Sequence, residues 1–257
     1  MSESGKTVYA TLSIFFILLM LPLKTSAQSN ENLHEGFFSL NFSAGYSAFS
    51  MKEAKEVLTK AKDFYAVNNI NIPNQKLYPA GIITEFSGLF NAGKGFHTGL
   101  GIQFGSTSAV SSYKDIYGSL ELKGTSGFVT MNWLTRKYFP AYSSIRPFAE
   151  AALGIAFARY RLNSDLKYNE LREYDISKSA SGNTIGPSLQ ASAGAEYWLK
   201  GFIKIYFKAG YNYIRSGKGS SEAEFPGLKW VSIVSPVKIP ASDFSGLNGG
   251  AGVSFQF

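Results

Sequence analysis

The chain has 257 residues, of which 45% are apolar and only 17% charged, with 21 Phe, 15 Tyr, 3 Trp and 26 Gly and a formal net charge of +7. Few charges with many aromatics and glycines point to an all-β chain, because aromatic side chains fit a pleated surface. There is no cysteine and there are two histidines, His34 and His97, which excludes disulfide scaffolds, thiolate-held zinc, iron–sulfur clusters and thiol catalysis.

Residues 1–27 read as a secretory signal peptide. Lys6 supplies a positive start, an apolar run of 10 residues from Ile14 to Leu23 follows, and Thr25 and Ala27 are small residues two apart, so cleavage is expected between Ala27 and Gln28. A membrane anchor needs about 20 apolar residues, and Thr11, Ser13 and Pro22 interrupt the longer window. A short N-terminal segment, 28–35, carries His34, read as a solvated residue. One domain is expected over 36–257.

From residue 36 on, stretches of roughly ten residues alternate between apolar and polar, the repeated weak signature of a membrane barrel. In 36–48, Phe38, Leu40, Phe42, Ala44 and Tyr46 share a face opposite Ser39, Asn41 and Ser43. Next comes SMKEAKEVLTKAKDFYAV (50–67), where Met51, Ala54, Leu58, Ala61 and Tyr65 recur at helical spacing among Lys52, Lys55, Lys60 and Lys62. Ser50 with Glu53 three residues on forms a capping-box pattern. This loop helix could lie over the barrel mouth, rest on lipopolysaccharide head groups, or bind a partner.

The next predicted strands are 79–90, with Glu85 and Ser87 on the polar face, and 96–106, with His97, Gly99, Gly101 and Gln103 on it. The long segment 119–138 puts Val129, Met131 and Trp133 outward and Thr130 and Asn132 inward, with a bulge expected near Gly124 and Gly127 to reconcile its halves. Residues 145–160 place Glu150 and Gly154 opposite Leu153, Ile155 and Phe157; residues 185–199 place Gln190, Ser192, Gly194 and Glu196 opposite Leu189 and Tyr197. In FIKIYFKAGYNY (202–213), Lys204, Lys208 and Asn212 oppose Ile203, Ile205, Phe207 and Tyr211; in 244–257 the pattern ends on Phe257. The glycines at 246, 249, 250 and 252 lie in an alternating strand with no helix after it, so they are not a phosphate loop; lumen packing explains them.

Eight strands result, with short connections at 91–95, 139–144 and 199–201 and long ones at 49–78, 107–118, 161–184 and 214–242. Short periplasmic turns and long outer loops are the asymmetry of outer-membrane barrels. A secreted lipocalin-like barrel is greasy inside. Here the small and polar face must be the inner one, since an eight-stranded interior has little room. Pairing Trp198 with Phe202 across a three-residue turn would put Glu196 opposite Lys204 and Ser192 opposite Lys208, giving a lumen ion pair that closes the periplasmic end. Glu85, Glu150 and Lys208 are further candidates for lumen ion pairs.

The stretches DFSGLNGGAGVSFQF (243–257), GAEYWLKGFIKIYFKAGYNY (194–213) and RPFAEAALGIAFARY (146–160) resemble the outer-membrane β-barrel domain family of Gram-negative bacteria, small porin-like barrels related in architecture to OmpA and OmpX. The resemblance spans roughly 36–257. It implies an eight-stranded antiparallel up-and-down transmembrane β-barrel, with Phe257 matching the aromatic end read by the barrel-insertion machinery. It brings no catalytic residues and no cofactor. A lipid A-modifying enzyme would need a histidine at the outer rim, whereas His97 starts a strand at the short-turn end. The expectation is a monomeric, non-enzymatic outer-membrane protein, its partners membrane lipid, lipopolysaccharide and an unidentified extracellular ligand rather than nucleic acid, with a structural, surface-interaction or adhesion-type role. The alternative is a small passive channel. Lumen packing discriminates them: bulky residues and ion pairs close a barrel, and a row of small residues opens one.

Overall fold

The computed structural model describes residues 36–67, 74–76, 78, 80–141, 144–169, 176–217, 219–220, 238–239 and 243–257. The expected signal peptide and His34 lie outside them.

The alternating segments become strands β1 (Phe38–Ser47), β3 (Gly81–Gly93), β4 (Phe96–Lys114), β5 (Gly118–Tyr138), β6 (Ile145–Tyr168), β7 (Ile176–Lys200), β8 (Ile203–Ile214) and β11 (Gly246–Gln256). Each pairs antiparallel with its neighbours, β1 joins β11, and β4 joins β5, so the eight close into a ring. Closure satisfies the ladder hydrogen bonds and leaves no free edge inside the ring. Three short strands lie outside it: β2 (Asn74–Lys76), which adds to the far end of β4, and the pair β9 (Gly219–Ser220) and β10 (Lys238–Ile239). From Ser106, stepping through the partners Ile82, Tyr46, Gly249, Ala209, Ala193, Ala149 and Lys137 returns to β4 at Phe96, ten residues displaced. This stagger is what tilts the strands in a closed barrel, to about 35–45°.

The polarity is inside-out relative to a soluble barrel. Leu100, Leu153 and Phe207 are 62–64% exposed on the outer face, while Glu150, Glu196 and Arg136 are fully buried inside. Outward apolar positions on β6 run from Ile145 to Phe157, twelve residues along the strand. At about 3.3 Å per residue and this tilt the band is about 30 Å tall, the thickness of a bilayer's hydrocarbon core.

Two expected loops are largely strand. Over 107–118 and 161–184 the alternation continues, and the actual connections are 115–117 and 169–175. Here β4 to β7 are 19, 21, 24 and 25 residues long against 10 to 13 for the other ring strands. A crossing needs only about 9–11, so these strands project as a wall on one side of the mouth. Leu120 and Leu122 on its inner face pack with Tyr113 and Leu166, which gives the extension a small core of its own.

The bulge expected in β5 is absent: its register with both neighbours is continuous and even-numbered residues face inward from Leu120 to Tyr138. Gly124 and Gly127 fall on opposite faces, so neither demands an extra residue. The β7–β8 turn also differs from expectation. Lys200 pairs with Ile203 around Gly201 and Phe202, Gly201 takes φ +58°, and the register slips between Trp198 and Lys200. A two-residue turn plus a bulge replaces the three-residue turn. Glu196 therefore pairs with Tyr206, Trp198 with Lys204 and Gly194 with Lys208. Because the displacement is two residues, the inward faces are kept.

Helix α1 (Lys52–Val67) starts one residue later than the Ser50 cap implies. The Ser50 N–H donates to the Ser245 carbonyl and the Met51 N–H to that of Asp243, while the first helical bond runs from the Lys55 N–H to the Met51 carbonyl at 2.9 Å. Met51, at φ 47°, thus takes the cap position.

Candidate functional site

The lumen holds three layers. Nearest the short turns is a chain of six charges supplied by five strands. Lys208 bridges Glu85 at 2.7 Å and Glu150 at 2.9 Å; Arg136 joins the other oxygen of Glu150 at 2.6 Å to Glu196 at 2.8 Å; Lys204 ends the chain on Glu196 at 3.2 Å. Three carboxylates alternate with three cations, so the chain is neutral overall. The Tyr138 hydroxyl donates to Glu196, and the Ser192 hydroxyl to Glu150. Aromatic rings fill the remaining space: the Arg136 guanidinium lies 4.4 Å from the centre of Phe148 and 5.3 Å from that of Tyr206, and Lys204 lies 4.1 Å from Trp198. His97 belongs to this end, buried edge-on to Tyr138 at 4.8 Å. Buried ions need this degree of pairing, since an uncompensated charge is expensive in a narrow lumen.

All five lumen residues expected from the alternation, Glu85, Glu150, Glu196, Lys204 and Lys208, meet in this one network. Glu196 and Lys204 meet diagonally, because their strands are offset by two residues from the expected register. Arg136, the member that joins the two halves, was missed. Its signal was available, as it shares the even-numbered face of Thr130 and Asn132 and lies on their side of the expected bulge.

Above the charges lies a belt of amides and hydroxyls. Gln190 and Asn212 are direct cross-strand partners, both buried, and neither amide has a protein hydrogen-bond partner. Gln103 Nε2, beside Glu85 on the neighbouring strand, is in the same state. Buried amides of this kind can be satisfied by water.

The mouth is apolar. Phe49, Phe128 and Phe244 pack with ring centres 4.7–5.8 Å apart. Gly105 permits this, because a Cβ there would come within 2.3 Å of the Phe128 ring. Met51, Ala54 and Leu58 of the α1 segment are fully buried in the same cluster, together with Tyr78, Tyr160 and Ile214. Of the residues singled out on the loop helix, Met51 and Leu58 plug the mouth, Lys52 is exposed and Lys55 half-buried. The side chains of Lys62 and Tyr65 lie outside the described residues. Among the described residues, no cluster of three or more potential metal ligands occurs.

No protein-family model and no curated protein sequence matches the chain. Among solved structures, it is similar to the outer membrane protein OprG from Pseudomonas aeruginosa, at TM-score 0.41 and 11% identity over 87% of this chain and 97% of that one. It is also similar to Ail, the attachment invasion locus protein of Yersinia pestis, in complex with the heparin analogue sucrose octasulfate, at 0.41 and 12% over 87% and 99%. A third is Neisserial surface protein A, at 0.38 and 12% over 86% and 97%.

Proposed function

We propose that the protein is a non-enzymatic, monomeric barrel of the bacterial outer membrane, closed to ions, that acts through its projecting mouth as a structural, surface-interaction or adhesion-type protein. A closed ring with an apolar band of bilayer height and a polar interior supports the membrane reading, because all ladder bonds are satisfied without water from outside. Export through a cleaved signal peptide, recognition of Phe257 by the insertion machinery and a lipopolysaccharide surround belong to the same proposal. The observation that carries closure is that both ends of the lumen are filled, one by the charge chain around Arg136 and the other by the phenylalanine cluster beneath α1.

One observation favours a passive channel instead: the belt of polar side chains without protein partners between the two seals. Single-channel recording in planar bilayers decides. The intact barrel is expected to give no discrete conductance steps, and replacing 52–76 with a short glycine–serine linker should still leave the charge chain blocking the pore. Combining that replacement with Arg136→Ala and Tyr206→Ala is expected to produce steps. Regular steps from the unaltered protein overturn the closed reading.

A further inference from the structure

On one flank of the outer wall the apolar band ends abruptly in cations. Outward residues of β6 pass from Phe157 directly to Arg159 and then Arg161, both exposed. In the row at this boundary, Ile82, Ser106, Gly127 and Arg159 are successive cross-strand neighbours. The two middle positions have almost no side chain, so the wall is indented. A groove of about 450 Å³ results, bounded by Ile82, Phe104, Val129 and Phe157, with Arg159 at its upper edge. One row further out stand Ser108, Thr125 and Arg161, and Lys123 follows diagonally. None of the three cations has an ion-pair partner among the described residues. The first carboxylates on this face, Glu121 and Asp165, oppose each other two rows beyond Arg161.

We propose that this groove seats a phosphorylated glycolipid of the outer leaflet, the lipid A part of lipopolysaccharide, with an acyl chain along Phe104, Val129 and Phe157 and a phosphate on Arg159 and Arg161. The assignment rests on the outer-membrane reading above. The site is amphiphilic in the order that a lipid presents, chain below and anion above. Guanidinium groups bind phosphate through paired charge-assisted hydrogen bonds. Three positive charges at one spot suit a phosphomonoester, which carries about −1.5 to −2 at neutral pH, better than a singly charged phosphodiester. The hydroxyls of Ser106, Ser108 and Thr125 stand where the sugar would lie.

Native mass spectrometry of the folded barrel in detergent, titrated with bisphosphorylated lipid A, dephosphorylated lipid A or phosphatidylglycerol, tests this. The unaltered protein should retain one bisphosphorylated lipid A. Loss of two charge-assisted contacts in Arg159→Ser/Arg161→Ser should raise the Kd by about tenfold or more. Gly127→Phe, which fills the groove and leaves the cations, should weaken retention as well, whereas Lys94→Ser at the opposite end should not. Retention by the double arginine variant equal to that of the unaltered protein overturns the proposal, as does equal retention of phosphatidylglycerol. Insertion into phosphatidylcholine vesicles is measured in parallel. Failure to insert overturns the outer-membrane reading together with the groove, and insertion without preference for lipid A overturns the groove alone.

Discussion

Arg136 and Glu150 are direct cross-strand partners on β5 and β6, and both the Nε and Nη2 of Arg136 donate to the same carboxylate oxygen of Glu150, at 2.9 and 2.6 Å. The other oxygen of Glu150 is left for Lys208 and Ser192. Glu150 and Glu196 are each divided between partners in this way, which makes the two halves of the charge chain depend on one guanidinium.

Removing that guanidinium should cost much of the barrel's stability. Arg136→Met leaves three carboxylates against two buried cations, and breaking a buried pair this way costs about 3–5 kcal/mol. Urea unfolding in lipid vesicles, followed by tryptophan fluorescence, measures it. Adding Glu150→Gln should recover part of the loss, because Lys208 with Glu85 and Lys204 with Glu196 then remain as complete pairs. A loss below about 1 kcal/mol, the level of an exposed pair, contradicts a desolvated network.

The lipid-facing assignment predicts a difference between two outward positions. Phe207 is near the middle of β8 and 62% exposed, so Phe207→Lys should cost roughly 2–4 kcal/mol at the bilayer midplane. Ser181→Lys, outward on the projecting part of β7, should be close to neutral. Similar losses for both would reject a bilayer around β8.

Orientation can be read by labelling, because the chain has no cysteine of its own. Ile116→Cys, at the tip joining β4 and β5, should react with a membrane-impermeant maleimide on intact cells. Ala92→Cys, beside the short turn between β3 and β4, should react only after permeabilisation. The reverse pattern inverts the topology.

The same tip carries a pH dependence. Asp115 Oδ1 accepts the N–H groups of Tyr117 and Gly118 at 2.9 and 2.8 Å, and Oδ2 accepts the Tyr113 hydroxyl at 2.8 Å. The Tyr113 hydroxyl, then the two amides, hold the carboxyl below its ordinary value despite some opposing desolvation. A depressed folded pKa means that the ionised group supports the turn above the ordinary carboxylate range, and that this support fades as pH falls through the folded value. The protection of the Tyr117 and Gly118 amides, measured relative to intrinsic exchange at each pH, should therefore fall in acid, and Asp115→Ala should lack that protection at every pH. Equal protection at pH 7 and at acid pH in the unaltered chain would remove Asp115 from that role.

Strand alternation alone determined a good deal: eight crossings, which residues face inward on each apart from the outer half of β5, and an apolar outside around a polar inside. Side-chain direction in a strand is a local property with period two, so it can be read residue by residue. It even survived the wrong turn between β7 and β8, since a slip of two residues leaves parity intact. Contact between particular charges is not local. Glu85 reaches Lys208 only because the ring closes with a ten-residue stagger, and Arg136 reaches Glu196 across β6 because the registers on the two sides of that strand bring them to the same end of the lumen. The extent of β4 to β7 beyond the bilayer was equally invisible, because an apolar inner face on a projecting wall has the same alternation as a loop-flanked strand end. Only ring closure and packing separate the two.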